Sequence, residues 1–187
     1  MGIDTVAVIG AGTMRAGIAQ VCAQAGWKTN LFDAFPEGLE RGMNTIDAFW
    51  DKGIARGKTT PEQKVEWAAN LNAVSNMADA VGDVDLVIEA VPEIPELKHK
   101  IFADLGAMTR EDCILGTNTS SLSIADIAAA SGRADKVIGM HFFNPVPIMK
   151  LLELVKHDSC SNETIAVAEA AGKAMGKTTI LVKDIPG

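Results

Sequence analysis

The sequence predicts an α/β fold: a doubly wound, mostly parallel sheet with a helical-pair insertion and extra edge strands. Two observations carry this. Short β-branched runs alternate with longer helical segments along the whole chain, the pattern of a sheet assembled from strand–helix–strand units. The runs are apolar with little alternation, and turn residues rather than tight hairpins follow them, as expected of strands covered by helices on both faces. At 187 residues the chain is long enough for one domain with a sizeable core, so residues 1–187 read as a single unit.

In chain order, "TVAVI" at 5–9 opens the sheet and "TNLF" at 29–32 follows it. Between Pro36 and Asn70 a charged segment keeps helical spacing except at "GKTTP". Thr59 or Thr60 can cap a second helix starting at Pro61, so about 36–70 reads as a pair of helices inserted into the sheet. The segment exceeds what a crossover requires. Such excursions are either solvated structural inserts or carriers of ligand contacts. "VDLVIEA" at 84–90, "CILGTN" at 113–118 and "KVIGMHF" at 136–142 continue the sheet. After them "LLELV" at 151–155, a helix at about 162–175 and "TTILV" at 178–182 add two edge strands, whose direction the sequence leaves open.

Composition narrows the class. Hydrophobic residues make up 48% and charged residues 22%, with a net charge of -7, which fits a globular protein and argues against a nucleic-acid surface. Cys22, Cys113 and Cys160 are odd in number and widely spaced, so neither a disulfide framework nor a metal site is expected, and a reducing cytoplasmic home is. No apolar run approaches the roughly 18 residues of a membrane span, and the N-terminus lacks a signal core.

The stretch "VAVIGAGTMRAGIAQ" at 6–20 carries the first functional signal. A strand runs into Gly10-Ala11-Gly12, a helix follows, and Asp33 stands 23 residues beyond Gly10 at the end of the second strand-like run. Gly10 permits the tight turn, Gly12 lets backbone approach a pyrophosphate, and the helix start offers unpaired amides to its charge. The combination predicts a Rossmann-type dinucleotide site. Asp33 would hold the adenosine ribose hydroxyls and repel a 2′-phosphate. No arginine follows it in "DAFPEG", so NAD is expected rather than NADP. A phosphate-loop reading fails because "GTMRAGI" has isoleucine where that motif needs lysine. Arg15 stands where the motif has its third glycine. Either it crowds the helix start or the pyrophosphate path, at about 1–3 kcal/mol if it points inward, or it swings outward and pairs with the pyrophosphate.

Polar clusters follow the later strands: "TNTSSL" at 117–122, "HFFNPVP" at 141–147, and then Glu153. Ligands of open α/β sheets bind beyond the carboxyl ends of the strands. His141 can accept a proton near neutral pH there, and a carboxylate on its other nitrogen, the role Glu153 fits, would fix the tautomer and stabilise the imidazolium. Singly, such a histidine is more often structural, and Ser120 or Asn144 is more often a turn cap. Together they form a candidate site.

With these motifs in place the chain resembles the 3-hydroxyacyl-CoA dehydrogenases, including the bacterial 3-hydroxybutyryl-CoA dehydrogenases. The resemblance covers essentially all 187 residues and rests on "VIGAGTM", "GIAQ", "VIEAVPE", "TNTSSL", "HFFNPVPIMKLLELV" and the terminal "KDIPG". It implies NAD-linked oxidation of an (S)-3-hydroxyacyl-CoA to a 3-oxoacyl-CoA, or the reverse, as in fatty-acid β-oxidation. His141 would be the base on the substrate hydroxyl, Glu153 its orienting partner, Ser120 a hydrogen-bond partner of the reacting oxygen, and Asn144 a substrate-positioning residue. Gly10, Gly12, Thr13, Met14 and Asp33 would contact NAD, with Glu93 and Lys98 beside its nicotinamide half and Asn118 shaping that half. Lys52 and Arg56 of the insertion are candidates for the coenzyme A phosphates, with an ordinary surface role equally open to them. Relatives continue past the final proline-glycine into a helical domain that pairs subunits and closes over the substrate. The 187-residue chain is therefore expected to lack the homodimer element and to turn over weakly alone. Two other readings stand beside this one: a same-fold dehydrogenase of a free hydroxy acid or sugar acid, and a noncatalytic NAD-binding or crystallin-like protein.

Overall fold

A computed structural model describes residues 2–10 and 12–185 of the chain. Ala11 of the glycine turn, and Pro186 and Gly187 of the terminal "KDIPG", lie outside the described residues. The elements are β1 (Thr5–Ile9), α1 (Thr13–Gln24), β2 (Lys28–Phe32), α2 (Pro36–Ala55), α3 (Pro61–Ala69), β3 (Leu71–Val74), α4 (Met77–Val81) and β4 (Leu86–Glu89). They continue with α5 (Pro95–Met108), β5 (Ile114–Thr117), α6 (Ile124–Ser131), β6 (Val137–Phe142), β7 (Leu151–Lys156), α7 (Asn162–Ala174) and β8 (Thr178–Lys183).

The strands form one sheet in the order β3-β2-β1-β4-β5-β6-β7-β8. Strand pleating sends Val6 and Val8 of β1 to one face, into a core with Ile18 of α1, Ile46 and Trp50 of α2 and Val167 of α7. Ala7 and Ile9 point to the other face, where they meet Phe102 and Leu105 of α5 and Ile127 of α6. Helices on both faces make the sheet doubly wound, as the near-continuous apolar runs predict.

Connection length settles the strand directions that the sequence leaves open. Residues 143–150 are all that join β6 to β7, too few for a crossover, and the two pair antiparallel. Helix α7 joins β7 to β8, and that pair is parallel. Strand β3, "LNAV", falls outside the sequence reading. It is a four-residue edge strand whose only buried residue is Leu71, so it lacks the apolar run that marks its neighbours.

The insertion is a helical pair, α2 and α3. Gly38, Gly42, Ile46 and Trp50 form the buried stripe of α2 at four-residue spacing, the face a helix turns toward a core. Of the two candidate caps it is Thr60 that starts α3: its side chain accepts from the Gln63 amide while the Gln63 side chain accepts from the Thr60 amide, a reciprocal capping box. Asn76, Ser123 and Ser161 cap α4, α6 and α7 with one bond each, their side chains accepting from the amides of Asp79, Asp126 and Thr164. Helices α1, α2 and α5 begin without any side-chain cap. Among the described residues no helix is long and apolar enough to cross a membrane.

Candidate active site

The β1–α1 turn sits against the end of β4. Gly10 has φ 133, and a Cβ there would lie 2.6 Å from the Ala90 carbonyl carbon and oxygen. Gly12 has φ 114, with nothing within 4 Å of a Cβ position. The first glycine is therefore required by backbone packing and the second leaves an open approach to the uncapped start of α1.

Beside this turn lies a cavity of about 460 Å³. It collects residues from four separate segments: Thr13 and Met14 from α1, Glu93 after β4, Asn118 and Ser120 after β5, and His141 from β6. The side chain of Asn118 accepts from the Phe142 amide at 2.8 Å, while its own amide donates to the Glu89 carbonyl. That crosslink ties the loop after β5 to strands on both sides.

His141 and Glu153 are register partners across the antiparallel β6–β7 pair, so their side chains emerge on the same face. The His141 Nδ1 lies 3.7 Å from Glu153 Oε2. This is within ion-pair reach and longer than a hydrogen bond. The ring of Phe143 stands 4.6 Å from the imidazole, centroid to centroid, and limits its rotation. Ser120 lines both this cavity and a neighbouring one of about 670 Å³ that contains Glu153, so the serine lies between the two openings.

Glu93 is anchored from below. Its Oε2 accepts from Thr119 Oγ1 at 2.8 Å, Ser121 Oγ at 2.9 Å and the Ser120 amide at 3.3 Å, while Oε1 pairs with Lys98 Nζ at 2.9 Å. Burial raises the Glu93 carboxyl, but the bonds from Lys98, Thr119 and Ser121 outweigh it and hold the group below its ordinary value. Lys98 does not line the cavity: it is fully buried, and its Nζ also pairs with Glu89 Oε2 at 2.9 Å. Glu89 is itself fully buried, accepting from the Val91 amide and from Thr117 Oγ1. Sequence reasoning missed Glu89. Its signal was a carboxylate set directly after the apolar run "LVI" at 86–88, which requires a partner when buried.

Two expectations are not brought to the cavity. Asn144 is exposed on the loop after β6 and does not line it. Lys52 and Arg56 are exposed at the far end of α2. Sixteen residues, about 24 Å of helical rise, separate Lys52 from the start of that helix.

The chain matches, over residues 5–185, the family model described as the 3-hydroxyacyl-CoA dehydrogenase NAD binding domain. The chain belongs to this family. It is 40% identical to a probable 3-hydroxyacyl-CoA dehydrogenase of Caenorhabditis elegans, covering 99% of this chain and 63% of that protein. It is 39% identical to a probable 3-hydroxybutyryl-CoA dehydrogenase of Bacillus subtilis, covering 100% of this chain and 65% of that protein. The crystal structure of (S)-3-hydroxybutyryl-CoA dehydrogenase from Ralstonia eutropha superposes with a TM-score of 0.96 at 40% identity, over 100% of this chain and 65% of the other. The chain thus spans just under two-thirds of the length of these relatives.

The cofactor of the family is NAD, and the glycine turn fits it: Gly10 is packed, Gly12 is bare, and α1 starts uncapped. The adenosine end differs from the motif. Arg15 turns inward rather than out to solvent, and is 2% exposed. Its Nη2 stands 2.9 Å from Asp33 Oδ2. The pair meets ion-pair distance without hydrogen-bond geometry, leaving Arg15 Nε, Arg15 Nη1 and Asp33 Oδ2 buried with no hydrogen-bond partner. Burial lowers the guanidinium pKa below its ordinary value, Asp33 partly restores it, and Arg41 adds repulsion. The carboxylate expected to receive the ribose hydroxyls is therefore already engaged by this chain's own cation.

Arg15→Gly is accordingly expected to tighten NAD binding. A released Asp33 Oδ2 regains one hydroxyl bond to a charged acceptor, which corresponds to roughly 10- to 150-fold in affinity. Calorimetric titration of NAD into both forms measures the change, and weaker binding after restoring glycine would contradict the account.

Proposed function

We propose that the protein carrying this chain oxidises a short- or medium-chain (S)-3-hydroxyacyl-CoA to the 3-oxoacyl-CoA, or catalyses the reverse reduction. The observation that carries the reading is the His141–Glu153 register pair, whose histidine lines a cavity shared with Ser120, Asn118 and the start of α1. The names of the relatives support the substrate class.

In the oxidative direction His141 takes the proton of the 3-hydroxyl on its Nε2. Its Nδ1–H faces Glu153, whose carboxylate stabilises the imidazolium as it forms. Ser120 donates a hydrogen bond to the reacting oxygen. NAD, when bound, supplies the hydride acceptor for the hydrogen on C3. Gly12, Thr13 and Met14 would hold its pyrophosphate and nearby ribose, while Glu93, fixed by Lys98, Thr119 and Ser121, would border its nicotinamide half. The buried floor under Glu93 keeps that carboxylate from following the ligand, so orientation is set before binding.

Oxidation of NADH, followed at its absorbance band with acetoacetyl-CoA or free acetoacetate as oxidant, tests the reading. A kcat/KM for the thioester at least about tenfold above that for the free acid is expected, because only the thioester brings the remote coenzyme A binding energy. Equal values would favour a free-acid dehydrogenase. NADH binding with no oxidation of either kind would favour a noncatalytic protein.

A further inference from the structure

The segment between β6 and β7, "FNPVPIMK" at 143–150, is exposed or half-buried except at Val146, which is 2% exposed. Val146 and Pro147 rest on α1. A Cβ at Gly17 would lie 2.8 Å from Val146 Cβ and 3.3 Å from Pro147 Cδ, so only bare backbone lets the loop come this close. A second grip comes from Lys177, in the turn between α7 and β8. Its Nζ donates to the Val146 carbonyl and, at 2.6 Å, to the Met149 carbonyl, neither of which receives a backbone amide among the described residues. The next residue, Thr178, donates its amide to the Lys150 carbonyl at 2.8 Å.

Lys177 is buried, and among the described residues its ammonium meets these two carbonyls and no carboxylate. Burial, and then the like charge of Lys150, push its pKa below the ordinary lysine value. An ammonium facing only dipoles is costly to bury, and an apolar side chain would fill the space without that cost. What the charge adds is a pair of charge-assisted bonds to two points of one loop. That loop adjoins the base. The β6–β7 ladder ends at the Phe142–Leu152 pair, so sheet register holds His141 but not Phe143, whose ring stands 4.6 Å from the imidazole. The place of Phe143 is set by the loop, and the loop is set by Lys177.

We propose that Lys177 is a positioning residue for proton transfer at His141: it clamps the loop after β6 onto α1, which holds the Phe143 ring against the imidazole and keeps Nδ1 turned to Glu153. The inference rests on the reading of His141 as the base. Lys177 lines neither the cavity of His141 nor that of Glu153, so its influence reaches the reaction through the loop and not by contact with substrate or cofactor.

Lys177→Met keeps an unbranched stem and removes the donors. In the full protein, with acetoacetyl-CoA and NADH, it is expected to lower kcat roughly ten- to hundredfold, the order of loss that a misplacement of about 1 Å produces. KM and the Kd for NADH should stay within a few-fold while circular dichroism stays native. Phe143→Leu, at a half-buried position, should lower kcat by a similar factor. In the double variant the two losses should not multiply, because they break one chain of contacts. In the NMR spectrum the His141 ring protons, shifted by the Phe143 ring current, should move in Lys177→Met as they do in Phe143→Leu. An unchanged kcat in Lys177→Met overturns the proposal, as do losses that multiply in the double variant, an unmoved His141 resonance, or a normal kcat in Phe143→Leu. The last of these decides the matter even where Lys177→Met does not fold. NADH binding without oxidation by the unmodified protein sinks instead the reaction on which the proposal rests, an outcome read before any variant is made.

Discussion

His141→Ala lowers turnover of acetoacetyl-CoA by about 10²- to 10⁴-fold, the span that positioned proton transfer contributes, while NAD affinity stays within a few-fold. The imidazole lines a different cavity from Gly12 and from Asp33, so its loss removes chemistry and not cofactor binding. Steady-state kcat, with Kd for NAD from titration, reads the two effects apart. Glu153→Gln serves as the graded comparison. It keeps the register pair and the shape but removes the charge 3.7 Å from Nδ1, so its loss should be smaller than that of the histidine. A near-normal kcat in His141→Ala would remove that residue from the mechanism.

Lys98→Met destabilises the fold by about 3–5 kcal/mol, the usual consequence of stripping one partner from a buried ion pair. Glu89 is left fully buried with only the Val91 amide and Thr117 hydroxyl to satisfy a full negative charge. Urea unfolding followed by circular dichroism gives the difference. Adding Glu89→Gln to the same chain should recover a large part of it, because the orphaned charge is gone and the Thr117 and Val91 contacts remain available. A loss under about 1 kcal/mol in the single variant would show that the pair is not carrying the site. Glu93 responds in a defined direction as well. Without the Lys98 bond its carboxyl rises toward its ordinary value, since burial opposes the charge and fewer donors remain to offset it.

Much of this architecture was legible because its signals are local. The Gly10 to Asp33 spacing spans one strand–helix–strand unit whose geometry is fixed by the fold class, and each apolar run became a strand within one or two residues of its predicted ends. The cap at Thr60 was readable from a threonine followed by proline. His141 and Glu153 were legible as residue types near strand ends, though their pairing depended on the direction of β7, which only the short 143–150 connection decides. What stayed hidden depends on side-chain direction and on distant partners. Arg15 was recognised as foreign to the motif, but no sequence spacing tells which way a long side chain turns, and it turns to Asp33 on a different element. Lys98 was placed beside the ligand by resemblance, whereas burial puts it under Glu93. Strand β3 was missed because an edge strand with one buried residue has almost no period to read.

The uneven capping of the helices amounts to a division of labour between rigidity and ligand-dependence. Four helices close their first turn with their own Thr, Asn or Ser side chains, each such cap contributing typically about 1 kcal/mol. The three that forgo it, α1, α2 and α5, are those whose starts follow Gly12, Asp33 and Glu93. Roughly 3 kcal/mol of available stability is thus left unmade at one rim of the sheet. A ligand that supplies the missing acceptors completes those helices, so the empty domain is softest where it binds and gains cohesion in proportion to how fully the rim is occupied.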